Sequence, residues 1–283
     1  MSTTEAQDLA RLRAEIVNAR DVPTIPVLLL RILRVVEGER ASAKDLVDLM
    51  QRDQALAGRV LRLANSGFFA CSREVATLSR AVMLLGFSTV KNLALGIKIW
   101  ETLSQRGGPG IAALWEHSAL VGAAARLIAQ RTRAADPEEV FTAGLLHDLG
   151  RVILRIRFTS VYDRVASLGG DVPLVVRERD AFGVDHAQAG AWLGEAWALP
   201  PSIVEAARAH HDELTPGTAL SVPVIVNVAN RLVHWTDVDQ GVLAPEAEAG
   251  LSGTGGLSFG AFVEIAAQLQ GQKDDLKVFY GAD

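Results

Sequence analysis

Apolar residues recur at helical spacing along most of the chain, and strand-like alternation is weak. Pro23 and Pro26 lead into an apolar segment, Val27 to Val36, rich in Leu and Ile on that spacing. Ser42-Ala-Lys-Asp45 has the form of a capping box, in which serine and acid satisfy each other's free N–H groups at a helix start. It predicts a helix with Leu46, Val47, Leu49 and Met50 inward. Asp53 caps the next one, striped by Leu56, Val60, Leu63 and Ala64. A helix around Ser79 to Leu85 is expected to stop at Gly86, the residue that best accepts a left-handed backbone. Ser88 then restarts the chain with Val90, Leu93, Ala94, Ile97 and Trp100 on one face.

The run Gln105-Arg-Gly-Gly-Pro-Gly110 is the predicted boundary, dividing the chain into lobes of residues 1–105 and 106–283. Beyond it, Ile111 to Gln130 reads as one long helix. Asp136-Pro137-Glu138-Glu139 is a strong helix start, and the helix it opens is expected to carry His147-Asp148 and end near Gly150. Asp171 to Phe182 and Asp185 to Trp197 predict two more helices, and Pro200-Pro201 starts one ending in His210-His211. Val222 to Trp235 is rich in β-branched residues and fits either a strand or a helical face. Gly241 to Gly260 reads as a loose connection, and Phe259, Phe262, Ile265, Ala266 and Leu269 as a terminal amphipathic helix. The expectation is an all-α protein of two helical lobes.

Composition narrows the function classes. A net charge of −5 gives no positive field to draw the 283-residue chain to nucleic acid or anionic membrane. No stretch reaches the roughly 18 uninterrupted apolar residues expected of a membrane span. The polar, acidic start does not resemble a secretory signal, and Cys71 is the only cysteine, so a cytoplasmic location is expected. Arg126, Arg131 and Arg133, then Arg151, Arg155 and Arg157, could form basic patches; in an acidic chain they read better as solvated helix faces. Asn65-Ser66-Gly67 could line a groove or simply end a helix.

Five of the six histidines fall in an ordered series, His117, His147-Asp148, His186 and His210-His211. A single histidine on an apolar face is usually a hydrogen-bonded core residue. Five of them, with a helix between each pair of positions, point to one shared site, and imidazole with carboxylate suits zinc, iron or manganese. His234 lies outside the pattern and reads as an ordinary surface or partly buried residue.

The series, with Gly144-Leu-Leu-His147-Asp148-Leu-Gly150, resembles the HD superfamily of metal-dependent phosphohydrolases. Asp53-Gln-Ala-Leu-Ala-Gly-Arg-Val-Leu-Arg-Leu-Ala-Asn65-Ser66 and Thr77-Leu-Ser-Arg-Ala-Val-Met-Leu-Leu-Gly86 resemble the signature of the HDOD family, over roughly residues 20 to 240. That resemblance implies an HD-like helical bundle in the second lobe and a role in bacterial signalling, through a signalling protein partner or a small nucleotide-like ligand. By similarity to two-metal relatives, one ion would take His117, His147, Asp148 and the position of Asn230. The other would take Asp148, His186, His210 and His211. One or two divalent ions are therefore implied. Asn230 stands where an aspartate is expected, in Val-Ala-Asn-Arg, which weakens the first set. Arg151, where related phosphodiesterases carry lysine, could contact a phosphate. The alternative to a regulatory module is a phosphohydrolase acting on a nucleotide or cyclic dinucleotide, with Asp148 and Arg151 in the catalytic roles.

Overall fold

In the computed structural model, residues 3–18, 25–37, 42–69, 74–105, 108, 110–168, 172–215, 217–245, 247–251 and 254–280 are described. Pro23, Cys71 and Asp171, and residues 106, 107 and 109 of the expected boundary, lie outside them. Helix α1 (Thr3–Val17) opens the chain in a stretch whose sequence offered no strong signal. The first lobe follows as α2 (Val27–Glu37), α3 (Ala43–Met50), α4 (Gln54–Ala64), α5 (Leu78–Leu85) and α6 (Phe87–Ser104). The capping box forms as expected: Ser42 Oγ accepts from the Asp45 amide, and the Asp45 carboxylate accepts from the Ser42 amide. Asp53 caps α4 through the Leu56 amide, and the inward stripes of α3, α4 and α6 are buried. Gly86 ends α5 at φ 90° and ψ 155°, an extended positive-φ conformation instead of the left-handed one.

α7 (Ile111–Thr132) and α8 (Pro137–Leu146) come next, packed closely along each other. A Cβ on Gly144 would lie 2.8 Å from the Gly122 Cα, so these backbones meet where neither helix has a side chain. Among the described helices, α7 is long and apolar enough to cross a membrane, yet 61% of that window is buried inside the protein. The expectation that one helix carries His147-Asp148 as far as Gly150 is corrected. α8 stops at Leu146, His147 and Asp148 form a turn, and α9 (Leu149–Ser167) starts immediately after. The break follows from packing. α9 is pressed on α11 (His186–Ala196) at Gly150, where an added Cβ would sit 1.8 Å from the His186 carbonyl oxygen. α10 (Leu174–Phe182) lies between them in sequence and starts after Pro173, later than the expected Asp171.

α12 (Pro201–Ala209) and α13 (Val222–His234) complete the bundle, and the ambiguous β-branched run is thereby helical. α13 packs on α7 and α12, and α1 packs on α9 and α11. The described residues between Gly241 and Gly260 form regular elements where a loose connection is expected. β1 (Thr236–Asp237) pairs antiparallel with β2 (Val242–Leu243), and α14 (Ala247–Leu251) and a 3-10 turn (Thr254–Gly256) follow. Ala247 and Leu251 are fully buried, and the Trp235 ring lies against Gly250. α15 (Phe259–Tyr280) then packs on α7 and α4, with Asp275 accepting from the Gly67 amide at 3.1 Å. The lobes also meet where the buried Trp100 of α6 donates its indole N–H to the Leu145 carbonyl at 2.6 Å. The protein is all-α, with two helical lobes.

Candidate metal centre

Each expected ligand comes from the end of a helix or from its buried face. His117 projects from the middle of α7, and α13 lays Asn230 across it, with His117 Nε2 and Asn230 Oδ1 3.0 Å apart. His147 and Asp148 occupy the turn between α8 and α9. His186 is the first residue of α11, and His210 and His211 follow the last residue of α12. The structure brings all seven together. His117, Asp148, His186, His211 and Asn230 line a cavity of 640 Å3, with His147 and His210 buried beside them. The ligand atoms of His186, His210 and His211 lie within 4.8 Å of one another, as do those of His117, His147 and Asp148. Asp148 stands between the two groups. Its Oδ1 is 3.3 Å from His186 Nε2 and 3.5 Å from His210 Nε2, while Oδ2 is 3.6 Å from His147 Nε2.

Tautomers decide what this cluster can bind. His147 Nδ1 is 2.6 Å from the Gly144 carbonyl and His210 Nδ1 is 2.8 Å from the Ala207 carbonyl. A carbonyl only accepts, so each Nδ1 must carry the hydrogen. His186 Nδ1 lies 2.5 Å from the Glu178 carboxylate and is fixed the same way. With Nδ1 carrying the hydrogen, Nε2 is the ring nitrogen left free to offer a lone pair to a metal. His186 and His210 bring theirs within 3.2 Å of each other, and His186 Nε2 lies 2.9 Å from His211 Nε2. Lone pairs converging on a carboxylate are satisfied by a cation, so a divalent ion fits the His186, His210, His211 and Asp148 group.

The other half is different. Arg151 places its guanidinium 3.1 Å from Asp148 Oδ2, the oxygen turned toward His147. His117 Nε2 is engaged by the Asn230 amide whichever way round that amide lies. A cation and a neutral amide thus stand where a second ion would need negative charge. From sequence Arg151 is assigned to a phosphate, although its i,i+3 spacing from Asp148 already allows this contact.

Burial would raise the Asp148 carboxyl, but His147 and then Arg151 hold it well below the usual carboxylate range. Burial lowers His117 and pushes the wholly buried His147 down to about 3. The sign for stability follows. Between 6.5 and about 3 the unfolded chain takes up a proton that the folded His147 refuses, so stability declines as pH falls through that window. Metal-free protein should show a urea midpoint clearly lower at about pH 5 than at about pH 7.5. Equal midpoints would contradict a neutral, buried His147.

Several residues at the site escaped the sequence reading. Glu178 is fully buried on α10 and accepts from both the backbone amide and Nδ1 of His186. Tyr162 donates to its other oxygen at 3.1 Å. A signal existed: Leu174, Glu178 and Phe182 share one face of α10, so the glutamate sits on the apolar stripe. Arg177, Arg231, His234 and Trp235 also line the cavity. Arg231 is braced by Asn227 Oδ1 and the Asp212 carbonyl, and Arg177 by the carbonyls of Val165, Leu168 and Val172. Of the arginines in the two candidate patches, Arg126 pairs with Glu138, Arg131 with Glu264 and Arg155 with Asp163. Asn65 ends α4, its side chain tied to the Leu61 carbonyl and to both backbone groups of Val75, so it is a structural residue.

A helical bundle with histidines and a central aspartate gathered at helix ends defines an HD-like protein. The HDOD domain family profile matches residues 22–213, and the chain belongs to the HDOD domain family. Asn230 falls outside the matched stretch. In sequence the chain is similar to an uncharacterized protein of Treponema pallidum (strain Nichols), 28% identical over 222 residues, covering 77% of this chain and 43% of that one. It thus spans less than half the length of that curated relative. Its structure is similar to an HDOD domain protein of unknown function from Geobacter sulfurreducens, at 25% identity and TM-score 0.75, covering 98% and 100% of the two chains. A protein from Shewanella amazonensis, provisionally named a phosphohydrolase, shares the fold at 24% identity and TM-score 0.77, covering 96% and 98%.

Proposed function

We propose that this chain is a cytoplasmic signalling module that holds one divalent ion on His186, His210, His211 and Asp148, without turning over phosphoesters. The observation that carries this reading is the guanidinium of Arg151 on Asp148 Oδ2, in the cavity that His117 and Asn230 also line. Two-metal hydrolysis needs both halves of such a site to hold ions, because the pair clamps the attacking and leaving oxygens. Here one half carries its own fixed positive charge. A bound ion in the intact half would supply positive charge at the floor of the cavity. Arg231, His234 and the Trp235 ring at its wall suit a small anionic ligand with an aromatic part, such as a nucleotide. A signalling protein would then read the liganded state. In this reading Arg151 neutralises Asp148 and is not a phosphate contact.

The second reading, a one-metal phosphohydrolase, draws on the four intact ligands and on the name given to the Shewanella protein. Metal analysis of protein purified without chelator, followed by assays on cyclic dinucleotides, nucleotides and a generic phosphodiester, separates the two. One ion per chain and no turnover is expected. Turnover that disappears in His210→Ala would establish the hydrolase instead.

A further inference from the structure

Three imidazoles of the site are fixed in the same tautomer, but not by equivalent partners. His147 and His210 donate to neutral backbone carbonyls three residues back, a device that any histidine at such a helix end can use. His186 sits at the start of its helix, where no such carbonyl exists, and Glu178 supplies the acceptor from α10. Glu178 has no solvent exposure. A carboxylate taken fully out of water is costly unless several donors surround it. Three do: the His186 amide at 2.9 Å, His186 Nδ1 at 2.5 Å and the Tyr162 hydroxyl at 3.1 Å. Both carboxylate oxygens are therefore committed, and the group cannot turn away from the ring.

We propose that Glu178 is the positioning residue for the metal site: it holds His186 with Nε2 bare and makes that ring the strongest nitrogen donor of the cluster. This rests on the reading of His186, His210, His211 and Asp148 as a one-ion site. The physical basis is charge. A carboxylate behind the imidazole polarises the Nδ1–H bond and pushes electron density toward Nε2, which a neutral carbonyl does far less. The same carboxylate fixes the angle of the ring through its second bond, to the His186 amide. Tyr162 extends the arrangement, since its side chain also lies against Arg151, the residue on the far oxygen of Asp148. Glu178 thus stands behind the intact half of the centre and is joined through one phenol to the guanidinium in the other half.

The test uses the full chain and two substitutions. Glu178→Gln keeps the shape and removes the charge; Glu178→Asp keeps the charge on a shorter arm. Two readouts are taken. In metal-free protein the short His186–Glu178 bond should give a far-downfield imidazole proton in the NMR spectrum, lost in Glu178→Gln. In titrations with cobalt(II) against a competing chelator, Glu178→Gln should bind about 10- to 100-fold more weakly, with a changed visible spectrum. Glu178→Asp should recover part of the loss. A structural role alone would lower the melting temperature of both variants without moving the cobalt spectrum of the folded fraction. Wild-type affinity and spectrum in both variants overturn the proposal. Should Glu178→Gln fail to fold, the Glu178→Asp titration decides by itself, and wild-type binding there is the overturning result. A wild-type chain that takes up no cobalt at all removes the one-ion reading as well, and the downfield proton shows separately whether Glu178 still fixes His186.

Discussion

Replacing Arg151 with alanine and Asn230 with aspartate together should raise the metal content from one ion per chain to two. Arg151 lies 3.1 Å from Asp148 Oδ2, and a cation entering between His117 and His147 would meet it head on. Two unit charges about 4 Å apart interact by about 4 kcal/mol at the effective dielectric of a protein surface, and a divalent ion doubles that. Every 1.4 kcal/mol is about a factor of ten in affinity, so removing this one side chain changes the second site by orders of magnitude. Asn230→Asp then supplies a negative oxygen where His117 now meets an amide. The single substitutions should each give only a partial gain, because each leaves the other obstacle in place. Isothermal titration with manganese, supported by metal analysis, reads the stoichiometry. If the double variant still binds one ion, the guanidinium is not what closes that half.

Gly150→Ala should unfold the site from below. An added Cβ would lie 1.8 Å from the His186 carbonyl oxygen and 2.6 Å from the Gly190 amide, both backbone atoms of α11. No rotamer change relieves such a contact, so α9 and α11 must separate. Overpacking of this kind costs about 1–3 kcal/mol where side chains yield, and more where only backbone can move. Gly150 lies two residues after Asp148, so the same shift withdraws the carboxylate from His186 and His210. The expected result is a large fall in melting temperature together with loss of metal uptake. Gly271→Ala on α15 is the control: nothing lies within 4 Å of its added Cβ, and better helix propensity should stabilise by up to about 1 kcal/mol. Comparable effects from the two substitutions would mean that the α9–α11 contact is not as close as described.

The sequence was most informative where structure is governed by near neighbours. Ser42 with Asp45, Asp53 before α4 and the stripes of α3, α4 and α6 announce themselves because caps and periodicity are local. The histidine series was legible too, since each member lies at a helix end or on an apolar face. What depends on distant packing was hidden. The turn at His147 and Asp148 exists because α9 must begin again where Gly150 meets α11, and no residue near the pair signals it. Glu178 is one charge among Arg177-Glu178-Arg179-Asp180, and only its place on one face with Leu174 and Phe182 marks it as inward. The i,i+3 spacing of Arg151 from Asp148 allows their contact without fixing it. Gly241 to Gly260 read as loose by composition, yet Ala247 and Leu251 anchor it and Trp235 closes over Gly250.

The indole bond from Trp100 to the Leu145 carbonyl has a consequence for communication between the lobes. Leu145 lies two residues ahead of His147 and also packs its side chain on Gly96, so this bond helps tie α6 to the ligand turn. A protein that docks on the first lobe and displaces α6 must either break that bond or carry the turn with it. By thermodynamic reciprocity, whatever free energy the docking adds to or removes from ion binding is returned, unchanged, as the effect of the ion on docking.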